Sequence, residues 1–242
     1  MDAIVHLAAQ TGVPSSIQDP VTDCLTNVVG TMRVLEAARK TGVNKVVIAS
    51  SAAPLGRAKP PASENTVPLP ISPYGASKLS AEAYCLAYFG SYGLNAIALR
   101  FANAYGERAG HKESVVSKFI KDILTTREIA IDGTGGQTRD FIHVSDLCSA
   151  IESAMSFDGG GEIFQIGTGT ETSISDLANL IVDASKLDVN VSYGPTRAGD
   201  VQRNYSDISK AKKMLNWSPQ KELSLGISQV WEWFEANVAP TN

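Results

Sequence analysis

Short apolar segments alternate with helical stretches over the first hundred residues, and this alternation restricts the fold more than any other feature. Residues 3–7, 45–49 and 95–100 are mostly apolar runs without helical spacing, as in strands that are buried on both faces of a sheet. Residues 20–40 and 74–92, which lie between them, are predicted to be helices. The order of these elements predicts an α/β fold with a parallel sheet and right-handed crossovers.

The remainder of the chain reads as a mixture of shorter elements. We predict helices at 115–126 and 144–155, strands at 128–132 and 163–166, and a last packed helix around Trp231 and Phe234. Apolar residues between 177 and 184 indicate a further amphipathic helix, which is entered through Ser173 or Ser175. Residues 54–73, rich in proline and serine, are predicted to be a long surface loop of the kind that carries function.

Charge and composition exclude several classes of protein. The 242 residues include 21 Lys and Arg against 25 Asp and Glu, a net charge of −4, without a basic cluster. We therefore expect no binding of nucleic acid. Every apolar run is shorter than the roughly 18 residues of a membrane span, and the first residues do not resemble a secretory signal. We expect no membrane partner and a cytoplasmic location.

The cysteines and histidines lack the spacing of metal ligands. Cys24, Cys85 and Cys148 are odd in number and form no CxxC pair, which argues against a disulfide framework and a zinc site. The three histidines are far apart in the sequence. We predict no metal site and a reducing compartment.

A tyrosine and a lysine share one face at the start of a predicted helix. Tyr74 and Lys78 are four residues apart, and an ammonium group there can lower the pKa of a phenol by favouring the phenolate. This spacing alone is common on surface helices. Ser51, however, lies at the carboxyl end of a predicted parallel strand, where α/β proteins bind ligands. Together, Ser51 and Tyr74 could move a proton on or off a sugar or alcohol oxygen.

Seven sequence segments, taken in order, resemble the NAD-dependent epimerase/dehydratase family, the extended short-chain dehydrogenases that act on nucleotide sugars. The segments are HLAAQ at 6–10, NVVGT at 27–31, SSAA at 50–53, Tyr74 with Lys78, RFANAYG at 100–106, GTGGQTRDF at 133–141 and RAGD at 197–200. Within the family, the resemblance is greatest to UDP-hexose 4-epimerases. It implies NAD as cofactor, a UDP-sugar as substrate and inversion at carbon 4 through a 4-keto intermediate.

The resemblance also implies roles for individual residues. The catalytic residues would be Ser51, Tyr74 and Lys78. The residues that bind the cofactor would be Leu7, Ala8, Ala9, Thr26, Tyr74, Lys78 and Phe101. The residues that bind the nucleotide sugar would be Ser51, Asn103, Arg139, Arg197, Asp200 and Asn204. Asparagine at 204 leaves room for an N-acetyl group, so the substrate would be a UDP-hexose or a UDP-N-acetylhexosamine. By contrast, we predict structural roles for Arg100, Asp140 and His143.

The resemblance implies a truncated Rossmann-type, doubly wound parallel sheet with a smaller mixed α/β C-terminal substrate domain. The partial NAD-binding domain would be 1–106, with 140–168 returning to it, and the substrate domain would be 107–139 and 169–242. The glycine-rich GxxGxxG turn of the family does not occur where it is expected, which suggests that the first three strands are missing. We therefore expect an exposed first strand and poor binding of NAD.

Three alternatives to an active epimerase remain. A dehydratase of the family needs an acid and a base right after the serine, where this chain has Ala52 and Ala53. An NAD(P)-dependent reductase would lack the arginine pair Arg139 and Arg197. A non-catalytic or inactive fragment of an epimerase is favoured by the absent glycine-rich turn. The family resemblance also implies a homodimer formed by helices near 20–40 and 74–92, which is compatible with the reductase and with the non-catalytic alternative.

Overall fold

The computed structural model describes residues 2–196 and 201–238. The chain divides into two compact units. The first unit consists of Met1–Ala102, Cys148–Ile166 and Ser206–Ser218, and the second of Asn103–Leu147, Gly167–Tyr205 and Pro219–Asn242. Residues 140–147 thus group with the second unit and residues 206–218 with the first. The assignment of cofactor and substrate binding to separate domains stays a prediction.

The described residues form ten strands and nine α-helices. The strands are β1 Ile4–His6, β2 Lys45–Ser51, β3 Asn95–Phe101, β4 Asn103–Tyr105, β5 Glu128–Asp132, β6 Thr138–Arg139, β7 Phe141–His143, β8 Glu162–Ile166, β9 Thr172–Ser173 and β10 Asn190–Gly194. The helices are α1 Val13–Gln18, α2 Pro20–Cys24, α3 Gly30–Thr41, α4 Pro73–Tyr92, α5 Val115–Thr126, α6 Val144–Ser156, α7 Ile174–Ser185, α8 Ser209–Met214 and α9 Leu223–Asn237.

The first unit is built on a parallel sheet with the strand order β1-β2-β3-β8. In the register of this sheet, Val47 of β2 lies between Val5 of β1 and Ile97 of β3. The α/β fold with a parallel sheet is therefore confirmed. Strand β1 lies at an edge of the four-stranded sheet, and Val5 is 37% exposed there.

Helices α3 and α4 pack on one face of this sheet. Leu35 of α3, Ile48 of β2, Cys85 of α4 and Ala96 of β3 are all buried in the same apolar cluster. Helix α3 ends at Gly42, which adopts the left-handed conformation with φ of 76° that a side chain would disfavour. Capping and packing together fix both helices, so the first turn of α4 is held in place beside the strand ends.

A π-helical turn interrupts the helix predicted over residues 20–40. Helix α2 runs into the π-helix Leu25–Val29 before α3 begins. The sequence predicted a continuous α-helix, because apolar spacing cannot reveal one extra residue in a turn. Turns of this type often lie at functional sites. Here the turn carries Asn27, a buried residue of the candidate site.

The second unit has a core of three helices and short strand pairs. Strands β5 and β10 pair in parallel, as do β4 and β7, whereas β6 and β9 are antiparallel. Side chains from α5, α7 and α9 form its apolar core, including Phe119, Ile123, Leu177, Ile181, Trp231 and Phe234. The predicted packing of Trp231 and Phe234 is confirmed.

Candidate active site

The structure brings Ser51, Tyr74 and Lys78 together at the carboxyl end of β2. Ser51 is the last residue of β2, and Tyr74 lies in the first turn of α4, whose N-terminal cap Ser72 accepts a hydrogen bond from Gly75 N at 3.1 Å. The side chain of Ser51 lies close enough to Tyr74 to lower the pKa of that phenol, and its Oγ atom accepts a hydrogen bond from Ala53 N at 3.2 Å. The Nζ atom of Lys78 lies 5.8 Å from the centre of the Tyr74 ring. A hydroxyl, a phenol and an ammonium group therefore form one polar cluster.

Lys78 is buried and anchored to the strand. Its Nζ donates a hydrogen bond to the carbonyl oxygen of Ala49 at 3.0 Å. That is its one hydrogen bond to the described part of the chain, so two of its three N–H donors remain for a ligand. Burial lowers the pKa of Lys78, and the charges of Asp23 and Glu82 oppose that shift.

The pKa of Tyr74 is raised, whereas the sequence suggested that Lys78 would lower it. Burial is the main cause, since it disfavours the charged phenolate, and the negative charge of Asp23 adds to it. The side chain of Ser51 acts in the opposite direction and lowers the pKa of Tyr74. Spacing alone showed the neighbouring ammonium but neither the burial nor the carboxylate. Without a ligand, Tyr74 is therefore a neutral phenol at neutral pH.

A buried polar network that sequence reasoning missed lies beside this cluster. Asn27 Nδ2 is 3.0 Å from the Oδ1 atom of Asp23 and 3.1 Å from the Oγ atom of Ser77. Its Oδ1 accepts a hydrogen bond from Gln10 N at 2.8 Å. Ser77 in turn donates to the carbonyl oxygen of Tyr74 at 3.0 Å. Asn27 thus joins the π-helical turn to α4, and the spacing of Asp23 and Asn27 by four helical residues was the available signal.

The predicted cofactor residues surround the same strand ends. Leu7 and Ala8 follow β1 and are exposed, and Ala9 is half-buried. Thr26 is exposed on the π-helical turn. Phe101 ends β3 and pairs in register with Ser51 of β2. These positions are on the first unit, as are the predicted catalytic residues.

Gly75 allows α4 to approach the chain that follows Ser51. A Cβ atom at this position would lie 2.6 Å from the carbonyl oxygen of Ala53 and 3.2 Å from Pro70 Cβ. Real Cβ atoms do not approach backbone oxygens so closely. The absence of a side chain at Gly75 is therefore a condition for the position of Tyr74, its neighbour.

Apart from Ser51, the predicted nucleotide-sugar residues that the structure describes belong to the second unit. Asn103 is exposed on β4, and its backbone N–H donates to the carbonyl oxygen of Asp140 at 2.9 Å. Arg139 Nη1 donates to the carbonyl oxygens of Thr138 and Val201 at 2.7 and 2.6 Å. Asn204 is half-buried. The remaining two predicted residues, Arg197 and Asp200, lie outside the described residues.

The structural roles predicted for Asp140 and His143 agree with their contacts. The Asp140 carboxylate accepts hydrogen bonds from Thr168 N at 2.8 Å and Gly169 N at 3.1 Å, and so fixes the loop after β8. His143 is buried, with Nδ1 2.8 Å from the Oγ atom of Ser145.

Within residues 2–196 and 201–238, no three or more His, Cys, Asp or Glu side chains are grouped so that they could hold a metal ion. Among the same residues, every helix is too short or too polar to cross a membrane.

A parallel sheet with polar side chains of Ser, Tyr and Lys at the carboxyl ends of its strands is typical of a class, the α/β proteins that bind their ligands at this edge of the sheet. The sequence profile described as the NAD dependent epimerase/dehydratase family matches residues 1–167. The chain belongs to this family.

Comparison with individual proteins supports this assignment. The chain is 40% identical to the UDP-glucose 4-epimerase of Mycolicibacterium smegmatis over 237 residues, which cover 96% of this chain and 76% of that protein. It is 33% identical over 241 residues to a dTDP-glucose 4,6-dehydratase of Streptomyces antibioticus, with 98% of this chain and 71% of that protein covered. The crystal structure of the Thermotoga maritima UDP-glucose 4-epimerase with UDP-glucose superposes with a TM-score of 0.93 at 36% identity, covering 98% of this chain and 78% of the other.

Proposed function

We propose that this protein is an NAD-dependent nucleotide-sugar epimerase that inverts carbon 4 of a UDP-hexose or a UDP-N-acetylhexosamine. The observation that carries the proposal is the cluster of Ser51, Tyr74 and Lys78 at the end of β2. Membership of the epimerase/dehydratase family and the similarity to UDP-glucose 4-epimerases support the same reaction.

The proton chemistry is assigned to Tyr74 and Ser51. As a phenolate, Tyr74 would accept the proton of the sugar 4-hydroxyl and later return it to the keto oxygen. Ser51, whose side chain lowers the pKa of Tyr74, would hold that same sugar oxygen and favour the phenolate. Because burial raises the pKa of Tyr74, a nearby positive charge in the loaded site would be needed to ionise it.

The residues around the cluster fit a nicotinamide nucleotide. Lys78 has two N–H donors left for ribose hydroxyl groups, and the small side chains of Ala8 and Ala9 leave the end of β1 open. Bound NAD would supply the acceptor and donor of the hydride at carbon 4. Lys78 would hold the ribose, and Thr26 and Phe101 would contact the cofactor as the family resemblance implies.

Epimerisation is preferred over dehydration because of the residues after Ser51. A dehydratase must also protonate a leaving hydroxyl and remove a second proton, which requires an additional acid and base. Ala52 and Ala53 have neither function. The similarity to a dTDP-glucose 4,6-dehydratase is the observation in favour of the alternative. The product distinguishes the two, since a dehydratase forms a 4-keto-6-deoxy sugar and an epimerase returns an intact hexose.

Separate residues are proposed to bind the diphosphate and the sugar of the substrate. Arg139 and Arg197 carry guanidinium forks suited to diphosphate oxygens. Asn103 and Asp200 are proposed to contact the nucleotide sugar. Asn204 is proposed to leave space beside carbon 2 of the sugar, so that an N-acetyl group is admitted.

The test is turnover by the purified chain at saturating NAD. UDP-galactose and UDP-N-acetylgalactosamine are each incubated with the protein, and the products are separated by chromatography. We expect the carbon 4 epimer of each, and a loss of about 10²- to 10⁴-fold in kcat for Tyr74→Phe. Tyr193→Phe, which removes an exposed phenol hydroxyl from β10, is the control and should keep full activity. A folded wild-type chain that forms no product would favour the non-catalytic alternative.

We further propose that the chain forms a homodimer through α2, the π-helical turn and α4. The support is a set of exposed apolar side chains on these elements, namely Val21, Leu25, Phe89 and Tyr92. An interface that runs along these elements would remove such side chains from water. Light scattering after size exclusion should give a mass of two chains, and Phe89→Glu should reduce it to one.

A further inference from the structure

An ion pair joins Arg203 to Glu171, the residue immediately before β9. Arg203 donates from Nε to Glu171 Oε1 at 2.7 Å and from Nη2 to Glu171 Oε2 at 2.6 Å. The hydroxyl of Thr138 in β6 donates to the same carboxylate. We call this arrangement the Glu171–Arg203 clasp. The guanidinium group lowers the pKa of Glu171 to about 2, so the clasp is fully charged at neutral pH.

The backbone that the clasp holds is also the backbone that supports Arg139. Thr138 N donates to the carbonyl oxygen of Gln202 at 2.9 Å, and Arg139 Nη1 donates to that of Val201 at 2.6 Å. Val201 is only two residues before Arg203. A displacement of Arg203 would therefore move the carbonyl group that orients the Arg139 side chain.

We infer that Glu171 is a positioning residue for nucleotide-sugar binding: through Arg203 it fixes residues 201–205, and through Val201 it orients the guanidinium group of Arg139. This inference rests on the proposed function, which assigns Arg139 and Asn204 to the UDP-sugar. Glu171 itself would not touch the ligand. Its carboxylate is already occupied by Arg203 and Thr138.

The direction in which Glu171→Gln changes the affinity for UDP distinguishes a positioning role from simple electrostatic repulsion. Glu171→Gln removes a negative charge close to a residue proposed to bind a diphosphate. Coulomb repulsion alone predicts that UDP then binds more tightly. Loss of positioning predicts weaker binding, and we expect a rise of about three- to fivefold in the Kd for UDP, the range of an exposed ion pair.

The experiment combines calorimetric titration with UDP and hydrogen exchange of the free protein. Besides the weaker binding, Glu171→Gln should accelerate amide exchange in residues 201–205 and raise KM for the UDP-sugar while kcat is unchanged. Arg203→Lys, which keeps the charge but loses the fork, should weaken UDP binding in the same direction. The difference in UDP affinity between each variant and the wild type should be smaller at high salt, because salt screens exposed ion pairs.

Glu36→Gln is the matched control. Glu36 forms the same two-contact pair with Arg39 on α3, at 2.9 and 2.7 Å, and it lies in the first unit. Its substitution should leave the Kd for UDP unchanged. If wild-type protein binds UDP and Glu171→Gln binds it equally or more tightly, the positioning role is overturned and the proposed function stands. If the folded wild type binds no UDP, the proposed function fails, and this inference fails with it.

Discussion

Arg100 and Glu82 form a buried ion pair between β3 and α4, with Nε to Oε1 and Nη2 to Oε2 distances of 2.8 Å each. Both side chains are at most 2% exposed. Ser50, next to the candidate catalytic serine, donates to the same carboxylate at 2.6 Å. The structural role predicted for Arg100 is confirmed. The pair links the strand ends to α4 beneath the candidate site.

Breaking this pair should destabilise the first unit strongly. Glu82→Gln leaves the Arg100 guanidinium buried without an opposite charge, and we expect a loss of about 3–5 kcal/mol in the free energy of unfolding. Urea denaturation followed by circular dichroism measures it. Glu36→Gln, which breaks an exposed pair, should hardly change the midpoint. Equal effects of the two substitutions would contradict the role assigned to burial.

Sequence patterns predicted the elements that carry the site because those elements are long and regular. Strands β2 and β3 have continuous apolar runs, and helix α4 has a proline and a capping serine at its start. The short strands β4 and β7 were missed, since three residues show no periodicity. Strand β10 was missed because its side chains are mostly exposed and polar, so its pairing with β5 leaves little trace in the sequence.

The proximity of Ser51, Tyr74 and Lys78 could be predicted from the sequence, but their electrostatic surroundings could not. Asp23 reads in the sequence as a surface charge on a helix, and only packing shows that it is 1% exposed. Likewise, Arg203 and Glu171 are 32 residues apart, so no local pattern joins them. Long-range contacts of this kind depend on strand register and packing, and these cannot be inferred from the pattern of a single sequence.

Gly75 should be intolerant of a methyl group. Gly75→Ala places Cβ 2.6 Å from the carbonyl oxygen of Ala53, so α4 must shift and Tyr74 with it. We expect a loss of about 1–3 kcal/mol in the free energy of unfolding. Because Tyr74 moves with α4, we also expect kcat to fall at temperatures where the variant is still fully folded. Gly90→Ala is the control on the same helix. Nothing lies within 4 Å of its Cβ, and it should stabilise the protein by roughly 0.5–1 kcal/mol. If both variants behave alike, close packing at Gly75 is refuted.

Asp23 should add to the effect of burial on the ionisation of Tyr74. The negative charge of Asp23 raises the pKa of Tyr74, so Asp23→Asn should lower it and make the phenolate form at a lower pH. The new amide can still accept the hydrogen bond from Asn27. Difference absorbance at 295 nm, with Tyr74→Phe subtracted in each background, reports the titration of Tyr74 alone.

The control for Asp23 is Asp19→Asn. Asp19 caps the start of α2, where asparagine serves equally well, and its substitution removes the same charge from an exposed position. It should leave the titration of Tyr74 unchanged. An unchanged or higher titration midpoint in Asp23→Asn would show that this carboxylate does not act on the phenol.

Asn204 should set the size of the sugar that is accepted. Asn204→Tyr fills the space proposed for an N-acetyl group, while a plain hexose needs no such space. We expect kcat/KM for UDP-N-acetylhexosamine to fall by about 10- to 100-fold relative to that for UDP-hexose. The ratio of the two values is the measurement, because it cancels any change in the amount of folded protein.

Gln202→Tyr is the appropriate control, because it adds the same ring two residues away at an exposed position. The contact of Gln202 with Thr138 uses its backbone carbonyl and is kept in this variant. If Gln202→Tyr changes the ratio as much as Asn204→Tyr does, the effect comes from disturbance of residues 201–205. If only Asn204→Tyr changes it, the side chain at 204 limits the substituent on carbon 2 of the sugar. A ratio that neither substitution alters would remove Asn204 from the proposed substrate site.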